Sequence, residues 1–123
     1  MVADAGRLTV PRFPRWLLAG ALAVAGCGGG PVYHWGRYER LLYEMYARPG
    51  AAEPATQIAQ LTEDVGRAES SGRPVPPGVH AHLGYMHLLE GDAGAARREF
   101  AIEKSLFPES STLVDRLLEQ MSR

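Results

Sequence analysis

The chain reads as all-α. Three observations predict this: apolar residues recur at spacings of three and four through most of the sequence beyond residue 37, proline and glycine pairs separate those stretches, and no segment of useful length alternates apolar with polar. Five helices stacked through neighbouring faces are expected, arranged as a helical hairpin flanked by capping helices.

The first helix opens at Tyr38, carries Leu41, Leu42, Met45 and Tyr46 at helical spacing, and ends before Pro49-Gly50. Pro54 has the fixed φ suited to a first helical turn, and Ile58, Leu61, Val65 and Ala68 form one stripe of a second helix that Gly72 stops. Residues 72–78 hold three prolines, which remove donors and bias their predecessors towards extended geometry, so this segment is a stiff connector. Val79 to Glu90 is the third helix, closed by Gly91-Asp92. A fourth runs from Ala93 to Leu106 before Phe107-Pro108. Ser111 or Thr112 is expected to cap a last helix whose apolar face is Leu113, Val114, Leu117, Leu118 and Met121.

Within this order, Leu83-Gly84, Gly91-Asp92, Ala96, Phe100 and Pro108 stand at the relative spacings of a helical hairpin of about 34 residues and resemble a tetratricopeptide repeat. Gly84 and Ala96 are small where two helices must approach, Gly91-Asp92 makes the reversal, Phe100 fills the gap and Pro108 ends the second helix. The chain departs from the repeat at His80 and His87, where Trp and Tyr are usual, and at Glu103, where a small residue is usual. Stepping 34 residues upstream recovers only Pro74 against Pro108, so the chain holds one tetratricopeptide-like hairpin and not an array. The remaining helices are expected to cover its open faces.

The amino-terminal region speaks of address. Arg7, Arg12 and Arg15 precede an apolar run from Trp16 to Ala25, which ends in Val24-Ala25-Gly26-Cys27. About ten apolar residues span roughly 15 Å as a helix, half of a roughly 30 Å bilayer core. Val-Ala-Gly-Cys resembles the bacterial lipobox, which implies cleavage before Cys27 and acylation of its thiol. The expected organisation is therefore a lipoprotein signal peptide over residues 1–26, a lipidated cysteine with a flexible glycine tether over 27–32, and the helical domain over 33–123. Several acyl chains together give stable anchoring. Gly28, not aspartate, follows the cysteine, and in the lipobox resemblance this favours the outer membrane. Beyond residue 26 the chain has 10 Lys+Arg against 13 Asp+Glu, a net of −3, with no basic cluster, so nucleic acid is not an expected partner. With one cysteine in the chain, no internal disulfide is available and packing must supply the stability.

The chain after the tether also resembles a family of small bacterial lipoproteins with a conserved domain of unknown function. The likeness is carried by Trp35-Gly36-Arg37-Tyr38-Glu39, Leu42-Tyr43, Tyr46, Val75-Pro76-Pro77-Gly78, Ala81-His82-Leu83-Gly84-Tyr85, Phe100, Glu103-Lys104, Phe107-Pro108-Glu109-Ser110 and Asp115-Arg116-Leu117. It implies an outer-membrane lipoprotein, its domain facing the periplasm, often encoded beside a curli-secretion-channel-like lipoprotein. The function so implied is that of an envelope adaptor in assembly or secretion, with envelope lipoproteins as partners.

Tyr33, Trp35, Tyr38, Tyr43 and Tyr46 fall within 14 residues. Most are expected to pack the first helix against the hairpin, with Trp35 and Tyr43 as the alternative nucleus of a partner-binding patch. Ala81, Tyr85 and Leu88 recur along the third helix at positions that face the concave groove in tetratricopeptide folds, a surface that either binds a partner or is filled by the chain's own first helix or N-terminal segment. His80 and His82 point to different faces and His87 lies about 10 Å along the axis from His80, so neither a metal nor another cofactor is expected. No Gly-x-Ser-x-Gly elbow, free thiol or phosphate loop is present, so a non-enzymatic protein is expected, with self-association or, more remotely, a small hydrolase as alternatives. Ser70-Ser71 and Ser110-Ser111 suit helix ends. Arg97-Arg98 and Glu103-Lys104 read as solvated helix charges.

Overall fold

A computed structural model describes residues 29–123; Cys27 and the leader over 1–26 lie outside the described residues. Five α-helices account for the domain: α1 (Tyr38–Ala47), α2 (Pro54–Ser71), α3 (Val79–Leu89), α4 (Ala93–Leu106) and α5 (Ser111–Met121), with no strand among the described residues. The limits follow local chemistry. Pro54 occupies the first turn of α2, Gly72 ends it at φ +66, and the Arg73 N–H donates back to the Ala68 carbonyl at 3.0 Å. Gly91 turns the chain at φ +81, and the Asp92 carboxylate accepts the Ala95 N–H at 2.8 Å to start α4.

Side-chain pairs fix the order of packing. Arg40 meets Gln60, His82 meets Gln57, His80 meets Glu99 and Lys104 meets Asp115, so each helix packs on the one before it, and the further pairs Arg37–Asp64 and Gly78–Glu103 make α1–α2 and α3–α4 antiparallel. One apolar cluster joins Tyr38 and Leu41 of α1 to Leu61 and Ala68 of α2, Val75 of the connector, and Val79 and Leu83 of α3. A second joins Ala96 and Phe100 of α4 to Val114 of α5. Gly84 is obligatory at the α3–α4 contact, because a Cβ there would stand 2.6 Å from the Phe100 ring.

Three expectations need correction. Of the α1 aromatics only Tyr38 is buried, while Tyr43 and Tyr46 are 64% and 78% exposed, because in a ten-residue helix packed along Tyr38, Leu41 and Leu42 the Tyr43 position lies off that stripe and Tyr46 lies one turn beyond its packed part. Neither Ser111 nor Thr112 caps α5. A single 3-10 turn over Pro108–Ser110 feeds directly into it, and the Ser111 hydroxyl donates to the Pro108 carbonyl. Glu103 is not solvated: its exposure is 0%.

Candidate functional site

The strongest local constraint sits where the chain enters the fold. Gly36 takes φ +50, and an added Cβ would meet the Asp64 carboxylate at 2.5 Å. That closeness lets the Arg37 N–H donate to Asp64 Oδ2 at 2.8 Å while its guanidinium reaches Asp64 Oδ1 at 2.8 Å, Glu63 Oε2 at 2.7 Å and the Gln60 carbonyl at 2.8 Å. Burial pulls the Asp64 carboxyl upward, but the hydrogen bonds and charge of Arg37 outweigh it and hold it below the usual carboxylate range. Glu63 is lowered as well, first by its hydrogen bond to Arg37.

Glu103 does the equivalent work for α3. Its carboxylate accepts the Gly78 N–H at 2.8 Å, the Ala81 N–H at 3.4 Å and the Ser110 hydroxyl at 3.2 Å. Gly78, at φ +98 and close under the Tyr38 hydroxyl, has no side chain with which to cap the helix, so a carboxylate borrowed from α4 satisfies the free N–H groups and faces the positive end of the helix dipole. Burial, with the Glu103 charge second, pushes the Tyr38 hydroxyl up to about 12. The Tyr38 ring stands edge-on to His82 at 5.9 Å and 78°. Gln57 donates its amide to the Ala52 carbonyl at 2.8 Å, which leaves its oxygen to accept from His82 Nε2 at 2.7 Å. Burial lowers the pKa of His82 and so favours its neutral imidazole.

These anchors leave a groove of about 500 Å³ lined, among the described residues, by α1, α3 with its preceding Gly78, and α5: Leu42, Met45 and Tyr46 on one side, Ala81 and Tyr85 on the floor, Leu113 and Leu117 on the other. Tyr46, Tyr85 and Leu113 are exposed. Among the described residues the lining includes no Ser, Cys, Asp, Glu, Lys or Arg, and its one histidine, His82, is committed to Gln57. An apolar trough with tyrosine hydroxyls and a compliant methionine suits a helical or extended segment that brings its own apolar side chains.

Of the residues singled out in the sequence, Ala81 and Tyr85 meet in this groove. Leu88 does not: it packs against the Ala96, Phe100 and Val114 cluster. Tyr43 is exposed outside the lining, and Trp35 pairs edge-on with Tyr33 at 6.3 Å. Tyr46, Met45 and Leu113 are groove residues that the sequence reading passed over, although Met45 and Tyr46 shared the apolar spacing of α1. His80 Nδ1 lies 2.7 Å from Glu99 and His82 faces Gln57, so the two imidazoles are spent on different neighbours.

Residues 32–117 match the family described as a domain of unknown function, DUF4810. No curated protein and no solved structure matches the chain. The match spans the whole arrangement just described, from the Arg37 anchor through the groove floor to Leu117, and the chain therefore belongs to the DUF4810 family.

Proposed function

We propose that the protein is a lipid-anchored, non-enzymatic outer-membrane protein that acts as an adaptor between envelope proteins in assembly or secretion. The observation that carries this reading is the groove: three alternate helices hold tyrosine, leucine and methionine open to solvent, while the polar groups around them are consumed by structural hydrogen bonds. Antiparallel helices with Gly84 against Phe100 support the tetratricopeptide likeness, and such folds hold peptides or helices on the corresponding face. Envelope lipoproteins are the proposed partners, a curli-secretion-channel-like one among them. The pattern Val24-Ala25-Gly26-Cys27 supports the anchor.

Changing Cys27 to Ser is expected to release the protein into the soluble periplasmic fraction with its helical circular dichroism intact, because Cys27 precedes the folded helices; retention in the membrane fraction contradicts the anchor. Tyr85→Ala is expected to leave the thermal midpoint nearly unchanged, since that side chain is exposed, and to abolish co-purification of the crosslinked envelope partner. Loss of folding would instead make Tyr85 a core residue. Self-association is a second reading, favoured by the exposure of Tyr43 and Tyr46 outside the core. Analytical ultracentrifugation of wild type against a Tyr43→Ala, Tyr46→Ala double variant tests it.

A further inference from the structure

A second apolar depression, of about 590 Å³, lies where the chain enters the domain and shares no residue with the groove. Tyr33, Val65, Val75, Leu106 and Phe107 line it. The entering segment is pinned here, since the His34 backbone N–H donates to the Pro74 carbonyl at 2.8 Å. Tyr33 and Leu106 share this lining, Leu106 is 53% exposed, and the residues next to Tyr33 are open too, Val32 at 72% as its chain neighbour and Trp35 at 41%, edge-on to the Tyr33 ring.

Reach decides what can cover this face. Only Gly28 to Pro31 separate Val32 from Cys27, so at about 3.5 Å per residue the two Cα atoms lie within roughly 18 Å of each other. A domain of this length has a radius of gyration of about 12 Å and is some 30 Å across. A cysteine held at a bilayer therefore keeps the entry face at that bilayer and the far side away from it. Tryptophan and tyrosine favour the membrane–water boundary, where a ring meets both apolar chains and water.

We infer that the face carrying Val32, Tyr33, Trp35 and Leu106 rests on the lipid surface and orients the domain, leaving the α1–α3–α5 groove free. This rests on the lipid-anchor reading of Cys27. Arg73 and Glu69 both line the depression, so their charges offset and the attachment is carried by apolar and aromatic contact. Salt should then have little effect on it.

Trp35 supplies the test. The chain has two tryptophans, and Trp16 leaves with the leader, so the acylated protein reports through Trp35 alone. It is reconstituted in phosphatidylethanolamine–phosphatidylglycerol vesicles with or without brominated acyl chains, separated by flotation, and its fluorescence recorded. The expected result is loss of most Trp35 emission in the brominated vesicles, little changed by salt. Leu106→Glu, at an exposed position, should float equally well, keep its helical dichroism and recover the emission. Floating protein with unquenched Trp35, or quenching that Leu106→Glu leaves unchanged, overturns the inference. Protein that fails to float overturns the anchor itself, and the inference with it.

Discussion

Replacing Phe100 with alanine is expected to destabilise the domain by about 3–5 kcal/mol, out of the roughly 5–14 kcal/mol typical of some 93 residues. The ring is fully buried, fills the space left by Gly84 and is the seat on which Leu117, Leu118 and Met121 of α5 rest. Its removal should loosen α5 first and so remove one wall of the groove. The converse change, Gly84→Ala, forces a methyl group to within 2.6 Å of the ring and should cost about 1–3 kcal/mol. Because both substitutions act on one contact, Phe100→Leu should absorb part of the cost of Gly84→Ala, and urea unfolding of the four proteins in the cycle measures that coupling. Strict additivity, or a Phe100→Ala loss under about 1 kcal/mol, contradicts this packing.

Asp64→Asn is the second large effect. Asp64 is buried and receives the Arg37 backbone N–H and guanidinium together, so loss of its charge removes charge-assisted hydrogen bonds worth about 2–3 kcal/mol. The Arg37 side chain is 28% exposed and keeps Glu63, which holds the cost below the roughly 3–5 kcal/mol of breaking a fully buried pair. The acid dependence follows from the signs. A carboxyl lowered in the fold contributes stability that is present above its unfolded value near 3.9 and is lost as pH falls through the folded value. His82 is a base lowered in the fold, so the unfolded chain gains its proton first and stability begins to fall below about pH 6.5. Wild type should therefore weaken in two stages on acidification, and Asp64→Asn should keep the upper stage and show a smaller lower one, since Glu63 remains paired with Arg37 and is lowered as well. Chemical denaturation from pH 7 to pH 2.5 checks this; identical profiles for the two proteins contradict the pairing.

The helix limits were legible because proline and glycine mark them, while the Asp92 side-chain cap of α4 was read only as part of the Gly91-Asp92 reversal. The Gly84 and Phe100 contact was legible through its spacing. The long-range anchors were not. Arg37 and Asp64 stand 27 residues apart and Gly78 and Glu103 stand 25 apart, and no local pattern announces that a carboxylate will cap a helix on another element. Glu103 did carry a signal, since a repeat places a small residue there, yet beside Lys104 it read as a surface charge. The aromatic cluster misled for a physical reason: spacing identifies which residues share a stripe, but not how much of the stripe a short terminal helix can bury. Only the α3 floor of the groove, Ala81 and Tyr85, was therefore visible, and the α1 and α5 walls were not.

The central claim is that contacts along the α1–α3–α5 groove are the output of this protein. A photoreactive amino acid placed at position 85 in cells, with position 43 as the exposed control outside the groove, tests it most directly. The account predicts an ultraviolet-dependent adduct between position 85 and a different envelope protein, weaker or missing at position 43. No adduct at position 85, or adducts made only of two copies of this chain, would contradict it.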